Sequence, residues 1–88
     1  MNIPAKVEQI CENQIVTIRR AIDRAKIGEN VAEGSYWLML GDAAFLVKLY
    51  TLVKSGQVSK AAKLAYNTDT ALRDSISPTI YKFLERYM

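Results

Sequence analysis

From Tyr36 to Val53 the chain runs for eighteen residues with Asp42 and Lys48 as its only charges. A segment this long and this apolar reads as a helix that must be covered on more than one side, so it sets the plan for everything around it. At roughly 100° per residue, Leu38, Phe45, Leu46, Leu49, Leu52 and Val53 share one side, with Asp42 near the centre of that arc. Tyr36, Trp37, Leu40 and Val47 fall on the other side, beside Lys48, Thr51 and Lys54. An ionised carboxylate inside a packed core is costly unless it is paired, so Asp42 is expected to have a partner or a task.

Punctuation divides the chain into four helical blocks. After Pro4, which a first helical turn tolerates, Val7, Ile10, Cys11, Ile18, Ala21, Ile22 and Ala25 keep helical phase as far as Ile27, and Gly28 is a natural stop. Glu8 and Glu12 occupy the first half of that helix and Arg19, Arg20, Arg24 and Lys26 the second, as the helix dipole favours. Arg19 and Asp23 have the spacing of an intrahelical ion pair. Residues 28–34 read as a loop; Ser35 is placed to cap a second helix reaching Lys54, closed by Ser55 and Gly56. A third block starts near Gln57 and runs to Ile76, and Ser77 with Pro78 opens a short last helix striped by Ile80, Phe83, Leu84, Tyr87 and Met88. No strand-like alternation occurs. The expected fold is all-α: a compact bundle of three long helices plus a short C-terminal helix, forming a single helical domain over residues 1–88.

Within the third block two outcomes compete. Val58, Ala61, Ala62, Ala65, Leu72 and Ile76 share one face of an unbroken helix that would match the other two in length. Against that, Asn67, Thr68, Asp69 and Thr70 all have low helix propensity and favour a break.

Charge and residue usage narrow the functional classes. Residues 1–33 hold five basic and five acidic groups, and the net +3 is spread thinly over the rest. With no histidine and a lone Cys11, neither a metal centre of ordinary ligand spacing nor a disulfide framework can be built, and no cofactor is expected. Cys11 lies in phase with Ile10 and Ile18 and reads as a buried structural thiol. The apolar run is broken by charges and by Gly41, which makes it a poor membrane span, and no secretory n-region opens the chain; the expected location is cytoplasmic, or the equivalent compartment of a host. Gln14, Asp42 and Asp69 each fall within an inward arc, and they are expected either to meet as a buried polar cluster or to sit at the edges of the core and reach water. No catalytic residue is assigned, because nothing near these carboxyls supplies a histidine, nucleophile or metal.

Taken in order, Leu49, Leu52, Gly56, Val58, Ser59, Ala61, Ala62, Thr68, Thr70, Ala71, Leu72 and Ile76 resemble the helix-turn-helix of LysR-type transcription regulators. The resemblance covers about 28 of the 88 residues. It departs from the pattern where Ala65 replaces a packed leucine, Tyr66 occupies the turn and Asn67 replaces a buried aliphatic residue. It implies a DNA-binding regulator using residues 57–76, with Thr70 and Arg73, beside Asp69 and Asp74, facing the groove and Lys60 and Lys63 on phosphates.

The leading expectation is different. An apolar helix with more surface than three neighbours cover points to a non-enzymatic protein–protein interaction module, such as an inhibitor, adaptor or assembly factor, that binds a protein partner, a homodimer being one form of this. Tyr36, Trp37 and Leu40, with Tyr81 and Tyr87 on the closing helix, form the expected partner surface. DNA binding through Lys60, Lys63, Thr70 and Arg73 is the alternative.

Overall fold

A computed structural model describes residues 2–26 and 33–88, with side chains described for residues 2–24 and 41–88. The chain is all-α, and no strand occurs among the described residues. Among the described residues five helices follow one another: α1 (Ala5–Lys26), α2 (Glu33–Lys54), α3 (Val58–Tyr66), α4 (Thr70–Asp74) and α5 (Pro78–Glu85).

The helix α1 starts where Glu8 N–H donates to Pro4 C=O at 3.1 Å. It buries one stripe, Val7, Cys11 and Ile15, spaced four residues apart. The next helix, α2, meets that stripe with Leu49, Tyr50 and Val53, all without solvent exposure. Glu12 and Lys54 form an ion pair at 3.6 Å, while Ile18 and Ile22 line a pocket with Ala43 and Leu46, so the two long helices run antiparallel. Glu12–Lys54 is the one ion pair among the described residues, and the expected Arg19–Asp23 pair does not form.

At the end of α2, Gly56 adopts φ 83°, the left-handed conformation that glycine reaches at least cost. Gln57 N–H donates to Leu52 C=O at 2.9 Å and Gly56 N–H to Val53 C=O at 3.0 Å, which together satisfy two orphan carbonyls in a Schellman closure. This turn lays α3 back on α2 through Val58, Ala61, Ala62 and Ala65, whose small side chains permit close approach.

The third block is not one long helix. It breaks at Asn67, Thr68 and Asp69, where two polar side chains hold the corner. Asp69 caps α4, its Oδ1 accepting from Leu72 N–H at 2.8 Å. Arg73 reaches back from α4 and donates through Nη2 to Tyr66 C=O at 2.9 Å and Thr68 C=O at 3.3 Å, satisfying carbonyls at the end of α3. The chain then turns through Ile76 into α5, which buries Ile80 and Leu84. Ser77 precedes α5 as expected, but its hydroxyl makes no cap; its N–H donates instead to Tyr50 Oη at 2.9 Å.

The buried polar cluster does not form, and the described residues include no buried polar side chain. Asp69 is exposed because it serves as a cap, Asp42 is exposed and Gln14 is half-buried. Asp42 takes the other expected outcome, a place at the edge of the core, and height rather than angle decides it. Its direction on α2 is close to that of the buried Val53, but the pocket that Asp42 lines is formed, among the described residues, by α1 and α2.

Candidate interaction surfaces

Three surfaces emerge from this arrangement. The first lies on the arm formed by the C-terminal half of α1 and residues 41–46 of α2. Here Ile18, Ala21, Ile22, Asp42, Ala43 and Leu46 line an apolar pocket of about 150 Å³, with Asp42 among its walls. Ile18, Ile22, Phe45 and Leu46 are each only partly buried, and Val16 is 42% exposed. Two layers of helix cannot cover what three layers cover at the other end of the molecule.

Tyr36, Trp37 and Leu40 belong to α2, but their side chains lie outside the described residues. The described part of α2 leaves only Gly41, Asp42, Ala44, Lys48, Thr51 and Lys54 exposed, so the expected apolar excess on its outer side is not found in residues 41–54. Tyr81 and Tyr87 are half-buried against the core. The Tyr87 ring packs at 59° to that of Phe83, with centroids 5.5 Å apart. Tyr81 sits on α5 and Tyr87 two residues past its end, and α5 lies against the start of α1 near Pro4 and Val7. Val7 is about 22 Å along α1 from Ile22 at 1.5 Å per residue, so these tyrosines are not part of the surface on the arm.

The second surface is the α3–α4 corner that spacing singled out for DNA. Lys60, Lys63 and Thr70 are exposed, whereas Arg73 is engaged internally by its two carbonyl contacts. The would-be recognition helix α4 has five residues, with Asp69 bound at its N-terminus and Asp74 at its end. A helix that reads a major groove needs several base-facing positions, and this one offers little length for them.

The third surface is an open groove between α2 and α3, lined by Lys48, Leu52, Gln57, Lys60, Lys63, Leu64 and Asn67, with a volume of about 500 Å³. The half-buried Leu52 and Leu64 make its floor and the three lysines its walls. Sequence reasoning placed Lys60 and Lys63 at a phosphate-facing position and missed that Lys48, from another helix, joins them. The other residue missed was Tyr50, which lies fully buried at the centre of the core and ties α2 to the α4–α5 corner.

Among the described residues the two shifted ionisable groups are both in the core. Burial pushes the Cys11 thiol up to about 11, with Glu8 adding to the effect and Lys54 opposing it. Burial likewise raises Tyr50, against the lowering effect of its bond from Ser77 N–H. A thiol so shifted is protonated at neutral pH and a poor nucleophile. No helix among the described residues is long and apolar enough to cross a membrane. Comparison with protein-family models, with curated proteins and with solved structures finds no match to this chain, so the helix-turn-helix resemblance rests on residue spacing alone.

Proposed function

We propose that this chain is a non-enzymatic α-helical module that works by binding another protein through the apolar arm of α1 and α2, in the manner of an inhibitor, adaptor or assembly factor. The observation that carries this reading is the apolar pocket lined by the partly buried Ile18, Ile22 and Leu46, whose described lining comes from α1 and α2. Apolar surface concentrated in one place is the usual material of a protein interface. Tyr36, Trp37 and Leu40, which helical spacing places on the opposite side of α2, lie outside the residues whose side chains are described and carry no part of this reading. A second copy of the chain is one eligible partner, since an antiparallel helix pair completes a four-helix bundle by pairing with its own kind.

A photo-crosslinking residue at position 22 tests this in the native host, with position 79 on α5 as the control. Position 22 is expected to give a discrete protein adduct, or a dimer of the chain, which Leu46→Glu in the same chain removes while the helical circular dichroism persists. Equal crosslinking from both positions, or none from position 22, would refute the assignment of the arm.

A further inference from the structure

The groove between α2 and α3 carries an inference independent of the arm. From residue 43 to residue 68 the chain contains Lys48, Lys54, Lys60 and Lys63 and no aspartate or glutamate. Lys54 is engaged by Glu12 at 3.6 Å. The other three lysines all line the groove, and no acid lies within ion-pair distance of them among the described residues. Helical spacing offers them none either: Lys48 has Ala44, Phe45, Thr51 and Leu52 three and four residues away, Lys60 has Gly56, Gln57, Lys63 and Leu64, and Lys63 has Ser59, Lys60, Tyr66 and Asn67. Three uncompensated cations thus surround a floor of two leucines.

We infer that this groove is a docking site for an acidic amphipathic segment of a partner protein, with aliphatic side chains seated on Leu52 and Leu64 and carboxylates answering Lys48, Lys60 and Lys63. Charge complementarity selects the sign of the partner. The apolar floor selects its kind, because a small anion would satisfy the lysines and leave the leucines uncovered. Gln57 and Asn67 supply amide groups for the ends of a docked backbone. Nucleic acid is the poorer match. No aromatic ring lines the groove for bases to stack on, and the neighbouring Arg73 is tied to Tyr66 and Thr68 carbonyls.

The test uses the full chain and a labelled synthetic helical peptide of leucines four residues apart flanked by glutamates. Fluorescence anisotropy should detect binding that weakens as salt rises, that falls roughly tenfold or more in the Lys60→Glu, Lys63→Glu double variant, and that is unchanged by Lys82→Glu on α5. Replacing the peptide's leucines by serine should abolish binding at all salt concentrations. Amide shifts on titrating the unsubstituted chain should centre on Lys48, Leu52, Gln57, Lys60 and Leu64, a readout that needs no variant to fold. The inference is overturned by absence of peptide binding, by equal loss in Lys82→Glu, by shifts elsewhere, or by duplex DNA binding more tightly than the peptide with loss in the same double variant. Leu46→Glu on the arm leaves this binding intact, so failure of either proposal is distinguishable from failure of the other.

Discussion

Cys11 and Tyr50 show how single buried groups tie stability to pH in a chain whose surface charges are almost all exposed. The Cys11 thiol has no solvent exposure and titrates near 11 in the folded state against 9.0 unperturbed, because burial disfavours the thiolate. An unfolded chain therefore loses this proton first, and folding stability, complete below pH 9, declines as pH rises through the folded value. The slope is on the order of 1 kcal/mol per pH unit. Tyr50 adds a second loss that begins above its ordinary value of 10.0, since its folded pKa is also raised. Urea titrations should show a midpoint that is flat to pH 9 and falls beyond it. In Cys11→Ala the midpoint starts lower at neutral pH but stays flat to about pH 10, where Tyr50 takes over. An unaltered onset near pH 9 in that variant would mean that the thiol is not the group responsible.

Among the elements, the α3–α4 corner illustrates what local chemistry decides that periodicity does not. The apolar residues Val58, Ala61, Ala62, Ala65, Leu72 and Ile76 keep one phase whether or not the helix breaks, so the pattern is silent on the break. The outcome follows from the side chains between them: Asp69 gains more as a cap than as a helical residue, and Arg73 has two carbonyls within reach only when α3 ends at Tyr66. Asp69→Ala should cost about 1 kcal/mol in denaturant unfolding, Asp69→Asn much less, and neither should change the helical signal by more than the one short helix. A variant more stable than the parent would show that the chain prefers the unbroken helix. Other parts of the plan were legible beforehand. Gly56 and the Ser77–Pro78 pair marked real turns, and Val7, Cys11 and the α3 alanines announced the core. The choice between the two outcomes for Asp42 was not legible, because a helical projection gives direction around an axis and nothing about height along it. Tyr50 was missed for a related reason: a tyrosine is rarely assigned to a dry core, and its partner, the Ser77 N–H, lies 27 residues away.

The molecule as a whole has two tiers. Around Val7, Cys11, Ile15, Leu49, Tyr50 and Val53, all of α1, α2, α3 and α5 contribute buried side chains, whereas the pocket around Ile22 and Ala43 is lined, among the described residues, by α1 and α2. Local stability follows packing depth, so the two tiers should open separately. Native-state hydrogen exchange is expected to give the amides of Leu49, Tyr50, Val53, Ala62 and Ala65 the full free energy of unfolding. Those of Ala21, Ile22 and Ala43 should exchange through a lower-energy opening that leaves the first group protected. Protein concentration supplies the sharper criterion. If a second copy covers the arm, protection at Ala21, Ile22 and Ala43 rises with concentration while the core amides change little, and Leu46→Glu cancels the rise. If another protein covers it, the arm amides stay at the lower value at every concentration until that partner is added. Uniform protection across both tiers in dilute solution would mean that two layers suffice to bury the arm, and the case for an interface there would fall.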